Sequence, residues 1–220
     1  MISEANEDNI ETFYGCVRCR AFALAHACTV TPDRPAQCSK PWYMLKAYAV
    51  LAPDAPHGGC SLVEKGECID NLKGEWTGVN LSTEERSEGR VSRVYLHSIF
   101  EYPHTSCSCF QNAAWYIPEV DGIALMHRRF SGTAPDGMTW TKLGNMIAGR
   151  QNKNGAASFS LAYLQSPKFL QADGGYKRVV WMTSNLKSIA NAVIPQSIKD
   201  KIATEDDVKT INELKKFTCR

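Results

Sequence analysis

Nine cysteines in a chain of 220 residues constrain this fold more than any other feature. Cys16, Cys19, Cys28 and Cys38 lie close together near the start, and Cys107 and Cys109 form a tight pair mid-chain. No segment reaches the roughly 20 apolar residues that a membrane helix needs. The opening run, Met1-Ile2-Ser3-Glu4-Ala5-Asn6-Glu7-Asp8, is acidic and lacks the apolar centre of a secretory signal. The expected location is therefore the cytoplasm, where the thiol pool keeps cysteines reduced. An odd count also leaves one thiol over in any disulfide scheme. Metal binding is the default reading.

Charge narrows the partners. With 25 basic against 23 acidic side chains the net charge is +2, too balanced for the concentrated basic face that phosphate contacts require. A nucleic acid is not an expected partner, and neither is a membrane. The densest basic run, His127-Arg128-Arg129, reads as a solvated strand end.

The patterning predicts mixed elements. Val91–Phe100, Ile123–Met126, Phe159–Leu164 and Arg178–Met182 have strand composition. Ser39–Leu51 has near-helical spacing at Trp42, Leu45, Ala49 and Val50, and Phe110–Ile117 reads as a short helix after Cys109. Residues 53–60 read as loop, and a polar stretch runs from Ser82 to Arg90. Leu186, Ile189, Ala190 and Val193 keep a helical stripe until Pro195, and Thr204 to Asp207 offers a capping-box start for a last helix through Phe217. Strands and helices without βαβ alternation predict an α+β fold, a single compact domain with a mixed sheet and a cysteine-rich loop.

The quartet Cys16-x2-Cys19-x8-Cys28-x9-Cys38 puts four soft thiolates in a segment whose Gly15, Pro32 and Pro35 prevent regular structure. Only its first pair has the x2–4 gap usual for zinc; the single spacing of the others suits iron–sulfur ligation. Spacing leaves both open. His26, two residues before Cys28, reads as a hydrogen-bonding group beside the ligands, and Phe22 as an ordinary core aromatic. In Cys107-Ser108-Cys109 the two thiolates and the amide nitrogens of Ser108 and Cys109 make a planar N2S2 set, which favours Ni(II) or Cu(II) over zinc. An isolated C-x-C is as readily a chance pair of core cysteines; beside a four-cysteine cradle that reading weakens.

Together the two constellations resemble the C-terminal, A-cluster domain of the carbon monoxide dehydrogenase/acetyl-CoA synthase family, the synthase or β subunit. The resemblance runs from Cys16 through Phe22, His26 and Pro32-Asp33-Arg34, and through Lys65-Gly66-Glu67-Cys68 and Lys73-Gly74-Glu75-Trp76. It continues in Thr105-Ser106-Cys107-Ser108-Cys109-Phe110, in Gly132 to Trp140, in Lys168-Phe169 and Ala172-Asp173-Gly174-Gly175, and in Arg178 to Met182. It implies an N-terminal extension over 1–13, an A-cluster-like domain over 14–195 and a C-terminal helical segment over 196–220. It further implies a [4Fe–4S] cluster on Cys16, Cys19, Cys28 and Cys38, with Cys19 bridging to a proximal nickel. Cys107 and Cys109 would bridge that nickel to a distal nickel held also by the Ser108 and Cys109 amides. Phe22 would flank the open nickel face, and copper or zinc could compete for the proximal position. The implied activity joins a methyl group from a methylated corrinoid iron–sulfur protein with CO, from a CO dehydrogenase subunit or another source, and passes the acetyl group to coenzyme A.

The family's pair is Cys-Gly-Cys followed by Phe-Glu-Cys; here Ser108 intervenes and Phe110-Gln111-Asn112 follow. The family's glycine-rich stretch is replaced by Ala148 to Ala157. Three readings follow: a minimal synthase subunit, a paralogue using the same cluster for other C1, thiol or electron-transfer chemistry, and a non-catalytic zinc- or iron–sulfur-binding protein. Cys60 and Cys219 carry no expected role, Cys68 reads as packing, and of His57, His97, His104 and His127 only His104 is a candidate near the pair.

Overall fold

Short runs of aliphatic and aromatic residues become strands, and the longer polar-faced runs become helices packed on them. The computed structural model describes residues 6–16, 28–34, 60–101, 111–147 and 155–219. The elements among them are β1 (Thr12–Cys16), β2 (Cys28–Val30), β3 (Cys60–Glu64), β4 (Cys68–Asp70), β5 (Glu75–Trp76), α1 (Thr77–Arg86), β6 (Asn112–Ile117) and β7 (Gly122–His127). They continue with α2 (Trp140–Ile147), β8 (Ala156–Phe159), α3 (Leu161–Gln165), β9 (Val179–Met182), α4 (Ser184–Ala190) and α5 (Ile211–Thr218). The fold is α+β, with a mixed central sheet. No helix among the described residues is long and apolar enough to cross a membrane.

The central sheet has the order β8-β6-β7-β9. β6 pairs antiparallel with β7 and β8, and β7 pairs parallel with β9. Alternation splits its residues between two cores. Ala114, Ile123, Leu125 and Met182 face a cluster with Phe159, Phe169 and Leu186. Ala113, Trp115, Ile117, Ala124, Met126 and Trp181 face another with Leu143, Ile147 and Leu214. Both faces are covered, which is why β6 and β7 read as nearly continuous apolar runs. A third cluster, Phe13, Val63, Trp76, Val79, Val94 and Leu96, lies beneath the sheet of order β2-β1-β3, and Phe13 meets Trp76 edge-on at 6.1 Å between ring centroids.

The strands expected at Ile123–Met126 and Arg178–Met182 form as β7 and β9, and the basic run at 127–129 ends β7 with Arg128 and Arg129 exposed. The expected helix over 110–117 is strand β6 instead: a six-residue apolar run has no helical signature of its own, and ladders on both sides decide it. Val91–Phe100 forms no regular strand. Leu96 and His97 donate their amides to Gly74 and Lys73, but the Ser98 hydroxyl then takes the Phe100 and Glu101 amides, both at 3.0 Å, and bends the chain. The strand expected through Leu164 stops at Phe159, because Ser160 caps α3 by accepting from the Tyr163 amide at 3.1 Å. Ser82–Arg86 of the polar stretch is helical, within α1. The last helix starts later than expected: Thr204 closes a local turn with Asp207 at 2.8 Å, and the capping box is made by Thr210 and Glu213. The helical reading of Ser39–Leu51 lies outside the described residues.

Leu125 is fully buried in the middle of β7. We expect Leu125→Ala to lower the unfolding free energy by about 3 kcal/mol, measured by urea denaturation.

Candidate metal centre

The first two strands form a hairpin whose base is two cysteines. In the β1–β2 ladder Cys16 pairs with Cys28, so the 17–27 connection, which carries Cys19, Phe22 and His26, leaves and re-enters the sheet at adjacent positions. On its other edge β1 pairs with β3, and there Cys16 pairs with Cys60. The backbone thus sets Cys28, Cys16 and Cys60 in one transverse row. That is a register fact, and it gives physical form to half of the Cys-x2-Cys-x8-Cys spacing. Cys19, Phe22, His26 and Cys38 lie outside the described residues, as do Cys107, Ser108, Cys109 and His104. Among the described residues no group of three or more His, Cys, Asp or Glu side chains could hold a metal ion. Cys68, expected to pack inside, is exposed, as is Cys219; β4 is a short edge whose first residue turns outward.

What the structure shows in detail is how the flanks of both cysteine segments are held. After β2 the chain makes a turn, Thr31 to Arg34, in which the Arg34 amide donates to the Thr31 carbonyl at 3.1 Å and to its hydroxyl at 3.0 Å. The Thr31 hydroxyl donates in turn to the Glu7 carboxylate. Asp33 accepts from the Glu7 amide at 2.9 Å and from the Ser166 hydroxyl at 3.1 Å. The Arg34 guanidinium lies 4.8 Å over the Tyr163 ring, a cation–π contact strengthened by burial.

The approach to the 107–109 pair is fixed from Asp173. Its carboxylate accepts from the Ser98 hydroxyl at 2.7 Å and from the Ile99 amide at 2.6 Å. Burial raises the Asp173 carboxyl above its ordinary value, as it does Asp33. Beyond the pair, Gln111 accepts from the Leu161 amide at 3.1 Å, and the Asn112 side chain donates to the Phe159 carbonyl at 3.2 Å. The two residues that depart from the family's Phe-Glu-Cys therefore both tie the exit of the loop to the β8–α3 junction.

Between these anchors sits a buried acid–imidazole contact. Glu7 and His97 are 0% and 1% exposed, and Glu7 Oε2 lies 2.7 Å from His97 Nε2, a close contact outside straight hydrogen-bond geometry. Burial works to raise the Glu7 carboxyl, but the His97, Thr31 and Arg34 contacts outweigh it and hold it below the ordinary carboxylate value. Two lysines brace the same corner. Lys65 Nζ donates to the Glu7 carbonyl at 2.9 Å while lying 4.6 Å over the Trp76 ring, and Lys168 Nζ meets Asp8 at 3.0 Å. None of Glu7, His97 or Asp173 carried a role in the sequence reading. Asp173 stood inside a recognised motif, whereas Glu7 sat in an acidic run and His97 was one histidine among several.

The donor chemistry suits an iron–sulfur–nickel group, with soft thiolates in both segments and a hairpin closing on two of them. A family model for the C-terminal part of the ACS/CODH beta subunit matches residues 1–218. The chain is 45% identical over 215 residues to the acetyl-CoA decarbonylase/synthase complex subunit beta of Methanothermobacter thermautotrophicus, covering 97% of this chain and 46% of that protein. It is 42% identical over 217 residues to the beta subunit of Archaeoglobus fulgidus, with coverage of 98% and 41%. The chain thus spans a little under half the length of these relatives. A solved C-terminal domain of an acetyl-coenzyme A synthase alpha subunit aligns at 32% identity over 51% of this chain and 89% of its own, with a TM-score of 0.44.

Because the folded Glu7 carboxyl titrates lower than an unfolded one, its stabilisation is present above the ordinary carboxylate range. It is lost as pH falls through the depressed folded value. Glu7→Gln should be less stable than wild type near neutrality, by roughly 2 kcal/mol. The two Tm-against-pH curves should converge as pH falls through the depressed folded value, read by calorimetry.

Proposed function

The chain belongs to the family formed by the C-terminal domain of the ACS/CODH beta subunit, and on that premise we propose that it is the metal-cluster unit of an acetyl-CoA synthase/decarbonylase. The observation that best supports this is the β1–β2 register, which makes Cys16 and Cys28 the two posts of the loop bearing Cys19. In this reading Cys16, Cys19, Cys28 and Cys38 hold a [4Fe–4S] cluster. Cys19, Cys107 and Cys109, with the Ser108 and Cys109 amides, would hold the nickel. When bound, the centre supplies a soft, sulfur-ligated nickel able to take a methyl group and CO and to yield an acetyl group to the thiol of coenzyme A.

The protein's own residues do the arranging. Ser108 contributes only its backbone, so a hydroxymethyl in place of the family's glycine leaves the donor set unchanged. Phe22 would flank the nickel and His26 would hydrogen-bond beside the ligands, as the family resemblance implies. Holding both fragments at one centre converts an improbable encounter into an intramolecular step. The proposed partners are a corrinoid iron–sulfur protein, a CO dehydrogenase subunit and coenzyme A. The relatives' names assign them to a decarbonylase/synthase complex, and a cytoplasmic setting suits reduced thiols.

Anaerobically reconstituted protein should contain about four iron and two nickel per chain. A CO-dependent nickel signal should appear in electron paramagnetic resonance, and labelled CO should exchange into acetyl-CoA. Cys109→Ser should lower nickel more than tenfold while iron stays (~10–100-fold is typical for lost metal contacts), and Cys16→Ser should lose iron. A single zinc per chain would exclude the synthase reading; a complete centre that never binds CO would point to the paralogue.

A further inference from the structure

The Glu7–His97 contact joins the turn that follows Cys28 to the chain that precedes Ser98. The His97 backbone is fixed on two sides, the amide donating to the Lys73 carbonyl at 3.0 Å and the carbonyl accepting from the Ala172 amide at 3.1 Å. The next residues, Ser98 and Ile99, are those clamped by Asp173, at the start of the stretch leading to Cys107. Its imidazole reaches Glu7, which the Thr31 hydroxyl also contacts, three residues after Cys28. The ring stacks 6.4 Å from Tyr163, over which the Arg34 guanidinium of the same turn also lies. Gly74 makes room for it: at φ +69° it is in the left-handed region, and a Cβ there would lie 2.4 Å from His97 Cδ2.

We propose that Glu7 and His97 act as a positioning pair. They set the N-terminal quartet and the 107–109 pair in register with each other, so that a metal can be shared between them. Neither side chain touches the metals. Each holds one flank: Glu7 the turn after Cys28, His97 the chain before Ser98. The proposal rests on the metal reading above, because shared nickel is what the register serves.

Breaking the pair should therefore loosen the junction before it empties the iron site. The test compares His97→Ala, His97→Gln and Thr31→Val with Glu75→Gln in the full chain. The last variant disturbs another buried carboxylate, one that pairs with Arg93 at 2.7 Å and accepts from Asn80. After anaerobic reconstitution His97→Ala should keep its iron and lose nickel affinity roughly tenfold. His97→Gln, which keeps a polar group opposite Glu7, should recover to within about threefold. Thr31→Val, the milder change, should move the same way should His97→Ala fail to fold. Glu75→Gln should leave the nickel-to-iron ratio unchanged whatever it does to Tm.

In metal-free protein, hydrogen exchange should rise in His97→Ala at both Thr31–Arg34 and Ser98–Glu101, and in Glu75→Gln at neither. Nickel retained at wild-type strength in His97→Ala, or iron and nickel lost in parallel with Tm there and in Glu75→Gln, overturns the pairing role alone. Wild-type protein that takes no nickel overturns the metal reading and this proposal with it.

Discussion

A carboxylate and an imidazole that are both sealed from water impose a stricter condition on a fold than any apolar contact. Their desolvation costs several kcal/mol each unless partners with good geometry replace the lost water. Here the Thr31 hydroxyl donates to the Glu7 carboxylate and the imidazole lies 2.7 Å from it. Lys65 holds the Glu7 carbonyl, Tyr163 stacks on the ring, and Lys73 and Ala172 bind the His97 peptide groups. Glu7 Oε2 and His97 Nδ1 make no hydrogen bond among the described residues. Apolar residues can be exchanged for others of similar size with modest loss. A buried ionic corner cannot, because removing one member leaves another charge uncompensated. The third apolar cluster, the Thr31–Arg34 turn and the chain before Ser98 all meet at this corner.

The layout divides labour between rigid and irregular parts. The β8-β6-β7-β9 sheet, apolar on both faces, supplies a stiff platform. Cys107 and Cys109 precede β6 of this sheet in sequence, and Cys16 and Cys28 sit in the small β2-β1-β3 sheet. Reactive groups on loops held by a scaffold are a general arrangement. Here the flanks carry unusually dense polar anchoring: Asp33, Arg34, Ser98 and Asp173 on the way in or out, Gln111 and Asn112 on the far side.

The fold class, β7 and β9 were legible in the sequence because their signals are local: apolar runs bounded by Gly122 or by a polar residue. The cysteine spacing was legible for the same reason, and the β1–β2 register gives Cys16 and Cys28 a structural place consistent with it. The other proposed ligands lie outside the described residues. β6 was misread because both of its faces are covered, which erases the alternation that marks a strand. Val91–Phe100 was misread because Ser98 and Asp173 capture amides that a strand would have paired. The helix start at Thr210 was missed because Thr204–Asp207 offers a similar local motif and closes a turn instead. Glu7 and His97 left no trace at all: their relation spans ninety positions, and no window along one sequence joins them.

That long reach bears on the order of events during biogenesis. The contact between Asp33 and Ser166 spans 133 positions, and that between Lys168 and Asp8 spans 160. Such closures come late in folding, since loop entropy must be overcome before they reward it. An emerging nascent chain therefore exposes its first thiols well before the elements that frame them have been synthesised. A cofactor that needs this frame around those thiols is therefore completed only after Ser166 and Lys168 have been synthesised.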